Sequence, residues 1–326
     1  IACAPAQTTL KLAPGANLGV LEIKGLRYPG LTIASADPAH PARFSGINIQ
    51  SSSSIVLRRL RVEGPVPQQW RQSIVIRNSN AITLEGLELH GPAPAAQIDT
   101  AVLVQDSDTI RLRRLIAAGY RNGLTLMNSR KVVLSENALY GLSNDGIRGA
   151  GVEDVLIERN LMGNFTPDPG NHADGIQFWS RNQQAASQDI TIRHNLVIRG
   201  RGQPIQGIFI RDSAKLPFHR LTIEGNAVIG GNFQGILVDG ADGVSIRQNV
   251  VLPLDQQLSW VQIKAATNAV ASDNRAGKFL LHGESKGMDN TVITIRRDYT
   301  KELQGWLAKH KLSRENFPVS ELQDVI

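Results

Sequence analysis

Apolar and polar residues alternate in short runs that return along most of the chain. Ile55-Val56-Leu57-Arg58-Arg59-Leu60, Ile82-Thr83-Leu84-Glu85-Gly86-Leu87 and Ile110-Arg111-Leu112-Arg113-Arg114-Leu115 follow one template. Six further copies close on asparagine instead, at Asn137, Asn160, Asn195, Asn226, Asn249 and a degenerate Asn274. A period of two predicts strands. Successive closing positions lie 22 to 35 residues apart, a short minimum with insertions above it. A second run repeats as regularly: Gly123-Leu124-Thr125-Leu126, Gly146-Ile147-Arg148, Gly175-Ile176-Gln177-Phe178, Gly207-Ile208-Phe209-Ile210 and Gly235-Ile236-Leu237-Val238. Ile74-Val75-Ile76, Val102-Leu103-Val104 and Val261-Gln262-Ile263 extend it in both directions.

A repeat this short has no room for a helix of a dozen residues, which argues against leucine-rich and armadillo arrays. A propeller blade needs four strands in about 40 residues. The pattern therefore predicts a parallel β-solenoid of nine or more coils, with asparagines stacked inside to bond turn backbone and one another. From about residue 31 to 275 the chain resembles the right-handed parallel β-helix of the pectate-lyase-like superfamily. The resemblance rests on the asparagine ladder and on the entry Gly30-Leu31-Thr32-Ile33-Ala34-Ser35-Ala36-Asp37-Pro38. The expected division is a lead-in and cap over 1–30, an all-β helix over 31–276, and a C-terminal cap over 277–326 that covers the last rung. Leu303, Trp306 and Leu307 carry helical spacing within Lys301–Lys311 of that cap.

Composition narrows the functional class. The 326 residues include 41% hydrophobic and 20% charged positions, so most of the chain is expected to fold. No run of about 18 apolar residues predicts a membrane-spanning segment. One cysteine, Cys3, excludes an internal disulfide framework and a zinc cluster. Ala4-Pro5-Ala6 fits the small residues before a signal-peptidase cut, and Ile1-Ala2-Cys3 resembles the end of a lipoprotein signal. Export is expected, to the periplasm, the exterior, or a lipid anchor on Cys3. The formal charge is +6, with 25 arginines against 10 lysines. A planar guanidinium suits carboxylate, phosphate or sulfate, so an anionic polysaccharide is the expected partner of a monomeric chain. The basic residues show no aromatic interleaving or known module for nucleic acid.

Stacking turns the sequence into a surface map. The residue before each template glycine forms a column of Asn122, Asp145, Asp174, Gln206 and Gln234. Rungs about 4.8 Å apart bring Asp145 and Asp174 together, where they would share a proton, hold a cation such as calcium, or act as an acid/base pair. The alternative is that Asp-Gly is only the turn chemistry of this corner. Outward positions of the same strands form two more columns, which carry Arg148, Gln177, Phe209 and Gln262, and Trp179, Arg211 and Lys264. An indole would stack on a sugar ring and arginine would grip its carboxylate. The longest insertion, Gly163 to Ala173, delivers His172 beside Asp174, and a basic loop with Arg201 lies one rung on.

Three functions compete. Elimination or epimerisation at a uronic acid needs a base for the proton on carbon 5, a neutraliser for the carboxylate and an acid. The candidates are His172, Arg148 or Arg211, and Tyr140, with Tyr120 a second phenol near the same strands; Asp145 and Asp174 would orient the base. Gln177, Trp179, Arg201, Arg211, Lys264 and Asn122 are the expected substrate contacts. The resemblance transfers no roles. The superfamily's mannuronan epimerases carry an Asp-Pro-His-Asp run, whereas this chain reads His172-Ala173-Asp174. Its lyases that use calcium hold it with carboxylates, which would make Asp145 and Asp174 the ligands here. Hydrolysis by Asp145 and Asp174 is the second reading, although Gln206-Gly207-Ile208 stands where a polygalacturonase has Gly-His-Gly. A non-catalytic carbohydrate-binding solenoid is the third.

Overall fold

Ile82, Ile110, Val132, Val155, Ile190, Leu221 and Val244 occupy one register position on seven successive turns, and all are buried. Inward side chains of equivalent strands thus stack like on like, which explains why the same template returns in the sequence. The structure, a computed structural model, describes residues 8–67, 69–91, 99–254, 258–294 and 299–312. Cys3 and Ala4-Pro5-Ala6 lie outside the described residues. All described strand pairs that build the solenoid are parallel, and each regular turn contributes three strands. In one turn these are Asp174–Trp179, Gln188–Arg193 and Leu196–Ile198. The third strand of every turn joins an eleven-stranded sheet, so the expected nine or more coils are present. No described helix is long and apolar enough to cross a membrane.

Two polar ladders hold the corners. Side-chain amides run from Asn137 through Asn160, Asn195, Asn226, Asn249 and Asn274, each Nδ2 donating to the next Oδ1 at 2.8–3.0 Å. Asn274 passes the chain on to Asn290 at 3.0 Å, one step beyond the expected ladder. Each of these amides also donates to a backbone carbonyl, as Asn160 does to Leu134. Leu60, Leu87 and Leu115 fill the same corner in earlier turns and are fully buried. There a second ladder, of serines, serves the opposite corner. Ser52 N–H donates to Ser79 Oγ, Ser79 N–H to Ser107 Oγ, and Ser107 N–H to Ser129 Oγ, at 3.1–3.2 Å. Serine's small hydroxyl leaves no periodic mark in an already polar turn, so this ladder is not apparent in the sequence.

The solenoid exceeds the boundaries expected at 31 and 276. Thr9–Leu12 already pairs with Arg27–Ser35, and pairing continues through Lys278–Leu281, Lys286–Met288 and Thr291–Val292. These end turns pair by backbone and need little of the apolar alternation that marks interior ones.

The C-terminal helix does not cover the last rung. Thr300–Lys309 is helical, and its Leu303, Trp306 and Leu307 pack with Leu161, Leu196, Ile198, Ile229 and Leu252 in a cluster separate from the solenoid interior. The helix therefore lies along the flank, over apolar positions on the outer face of the eleven-stranded sheet. Trp306 Nε1 donates to the Gly225 carbonyl at 2.8 Å, and the His310 ring lies tilted against His194 with centroids 4.5 Å apart. A Cβ on Gly225 would sit 2.7 Å from each of those rings. Glycine is required there by close approach.

Much of the arginine surplus is structural. Arg58, Arg114, Arg193, Arg220 and Arg247 each pair with an Asp or Glu on a neighbouring turn. These exposed pairs reinforce rung-to-rung register, each with a small contribution.

Candidate active site

Template glycines determine how closely the site's rungs approach. A Cβ on Gly123 would lie 2.4 Å from the Gly146 carbonyl oxygen, and one on Gly146 would lie 2.6 Å from that of Gly175. The glycines are therefore demanded by rung contact and not by left-handed turn geometry, for neither Gly123, Gly146 nor Gly175 has a positive φ. That contact stacks the preceding residues. Asp174 N–H donates to Asp145 Oδ1 at 3.1 Å, so the two acids are neighbours on adjacent rungs as expected.

Their surroundings differ. Asp145 Oδ2 accepts from Asn144 Nδ2 at 3.0 Å and lies 3.0 Å from Arg148 Nη1. Asn122 Oδ1 accepts from Arg148, Asn144 and the Asp145 backbone, tying the network together. Asn171 Nδ2 closes it from the long insertion by donating to Asn144 Oδ1. Asp174 is fully buried; its Oδ2 accepts from Gln177 Nε2 at 2.7 Å and lies 3.3 Å from His172 Nδ1. Its Oδ1 is buried without a partner, as is Oε1 of Gln206 on the next rung of the same column.

Burial raises the pKa of both carboxyls, pushing Asp174 up to about 7. Arg148, 3.0 Å from Asp145 Oδ2, opposes the rise at Asp145. Asp174 Oδ2 accepts from His172 Nδ1–H, which leaves the lone pair on Nε2. The hydrogen bond that His172 donates to Asp174 raises the pKa of His172 against the lowering effect of burial.

His172 opens into a cleft of about 400 Å³ lined by Arg148, Gln177, Phe178, Trp179, Arg181, Phe209, Arg211 and Ser213. Its ring lies beside Phe209, centroids 5.6 Å apart. Arg148 sits 4.6 Å over the Trp179 ring, so one face of that half-buried indole is already taken. Arg181, Phe209 and Ser213 were not among the expected contacts. Phe209 follows from the outward column, but Arg181 and Ser213 lie past the strand ends, where the template no longer assigns direction.

Several expected roles need correction. Tyr140 lies in the eleven-stranded sheet, packed beside the cluster under the C-terminal helix. Tyr120 is fully buried, with its hydroxyl donating to Ser73 Oγ and its pKa driven up by burial. Neither phenol reaches the cleft. Asp145 and Asn122 lie beneath the cleft without lining it, and the same holds for Asp174. Lys264 is two turns beyond Arg211 on the same column, and neither it nor Arg201 lines the cleft. Calcium does not fit the carboxylate pair. Hard cations require several accessible oxygen ligands, whereas Arg148 and His172 already face these two acids. Among the described residues no three His, Cys, Asp or Glu side chains are grouped to hold a metal.

Solved structures share this architecture at low identity. An alginate lyase from Paenibacillus sp. str. FPU-7 superposes with a TM-score of 0.54 at 16% identity, covering 90% of this chain and 94% of that one. An exopolygalacturonase from Thermotoga maritima gives 0.58 at 9%, covering 88% and 84%. PfbA, a surface adhesin of Streptococcus pneumoniae, gives 0.50 at 13%, covering 89% and 81%. A search of curated proteins finds no match. These likenesses establish the fold, and solenoids with enzymatic and adhesive roles are among them. The family model for the right-handed beta helix region matches residues 45–251, and together with the stacked parallel turns it makes this chain a member of the right-handed parallel β-helix family.

Proposed function

We propose that the protein is a carbohydrate-active enzyme that attacks a uronic acid within an acidic polysaccharide by removing the proton on carbon 5. The observation that carries this reading is His172, half-exposed and backed by a buried acid, opening into a cleft with three guanidinium groups. Arg148, Arg181 and Arg211 would bind the substrate carboxylate and offset the charge that grows on it as the C5–H bond breaks. The proton passes to Nε2 of His172, and its electron pair enters the enolate. Collapse of the enolate with cleavage of the C4–O4 bond yields an unsaturated uronate and makes the enzyme a lyase. Delivery of a proton from solvent water to the opposite face of carbon 5, with His172 keeping the one it removed, makes it an epimerase. For the departing oxygen, protonated His172 is the titratable donor near neutrality among the described residues of the cleft.

Burial of both aspartates weighs against the hydrolase reading. A glycosidase needs two carboxyl groups flanking the scissile bond, and Asp145 and Asp174 are 1% and 0% exposed. A purely adhesive solenoid has no use for a raised-pKa histidine against a buried acid.

Incubation with a panel of acidic polysaccharides tests this reading. Absorbance from an unsaturated uronate together with new reducing ends is the result expected of a lyase, and an altered epimer ratio without either that of an epimerase. New reducing ends alone would overturn the proposal in favour of hydrolysis.

A further inference from the structure

His172 lines two hollows, not one. On the far side of it from the arginines, a second hollow of about 320 Å³ is bordered by Asn171, Gln203, Gln206, Asn232 and Pro204. Apart from His172 it carries no charged side chain among its lining residues. The basic loop contributes Gln203 and Pro204 to it, while Arg201 of that loop stays outside the lining. The two compartments are therefore chemically opposed: three guanidiniums on one side of the base, four carboxamides on the other.

We infer that the substrate is a heteropolymer in which a uronate is linked to an uncharged sugar, the two residues held on opposite sides of His172. This inference rests on the uronate reading of the site and adds the neighbouring sugar to it. A carboxylate entering the amide-lined hollow would lose hydration with no cation to replace it, which disfavours a second uronate there. Carboxamides offer donors and acceptors together, the complement of hydroxyl or acetamido groups. The hollows follow each other along the strand direction. From Gln206 to Arg211 the chain advances roughly 17 Å at about 3.3 Å per residue, enough for a short oligosaccharide and too long for one ring.

Defined hexasaccharides decide the matter, one alternating uronate with an uncharged sugar and one built of uronate alone. Turnover by the full chain and binding by its His172→Ala variant are measured for both. The alternating oligomer should be preferred at least about tenfold in kcat/KM, the scale of one lost charge compensation of about 1.4 kcal/mol. Gln203→Arg and Asn232→Arg should each narrow that preference by raising turnover of the homopolymer. Equal or faster turnover of the homopolymer would overturn the heteropolymer inference and leave the uronate reading standing, and so would an unchanged preference in both arginine variants. Failure to turn over or bind either oligomer would overturn both.

Discussion

Nδ1 of His172 lies 3.3 Å from Oδ2 of Asp174, and the two side chains are opposites in exposure, 59% against 0%. The acid cannot meet a polysaccharide, and the histidine can. Asp174 is therefore a positioning residue that acts through His172, and the chemistry assigned to the site stands or falls on the imidazole.

Replacing His172 by alanine should lower kcat by the roughly 10²–10⁴-fold attributed to a general base. The side chain is mostly exposed, so the melting temperature should stay nearly unchanged. Steady-state kinetics on the polysaccharide identified by the panel, with a thermal scan alongside, checks both halves. Near-full turnover would reduce His172 to a loop residue.

The dyad also sets a pH dependence. Asp174 raises the pKa of His172, so the imidazole keeps its second proton to higher pH, and base activity should rise as pH climbs through that raised value. In Asp174→Asn the acid limb of the kcat/KM profile should move to lower pH. A stability effect accompanies it. Burial pushes the pKa of Asp174 up to about 7, from an ordinary carboxyl value of 3.8. That contribution is complete below about pH 4 and is lost as pH rises towards 7. Denaturant unfolding from pH 4 to 8 should show the native chain losing stability relative to the variant across this window.

Binding should weaken with salt. Arg181 and Arg211 of the cleft are exposed, and the Debye length falls from about 30 Å at 0.01 M to about 8 Å at 0.15 M. Titration of His172→Ala with an acidic oligosaccharide should show affinity falling over that range, and Arg181→Gln should flatten the dependence. Affinity that ignores salt would argue for a neutral ligand.

Asn195→Leu tests the ladder. Asn195 donates to Asn226 Oδ1 and to the carbonyls of Ile157 and Arg193, and its own Oδ1 accepts from Asn160. Leucine would fill the corner yet leave buried groups without partners, at about 1–3 kcal/mol for each one left unsatisfied. A shift of the denaturant midpoint of that size is expected at constant m-value.

The sequence by itself determined the solenoid, two of the strands in each turn, the asparagine column, and the adjacency of Asp145, Asp174 and His172. It could do so because a parallel β-helix places equivalent residues of successive turns in contact, so a linear period is already a list of neighbours. The outward columns were legible for the same reason, down to Arg148, Gln177, Phe209 and Arg211. Loops and layers outside that period were not. Whether an outward side chain faces solvent or is covered depends on what packs over it, and that is a tertiary matter. It sent Tyr140 towards the C-terminal helix, laid that helix on the flank instead of the end, and buried both aspartates so that, of those three residues, His172 alone meets the cleft. Arg181 and Ser213, just beyond the strand ends, and the amide-lined hollow, assembled from insertions on different turns, likewise took their places from three-dimensional packing, because an irregular loop has no register through which one residue could announce its neighbours.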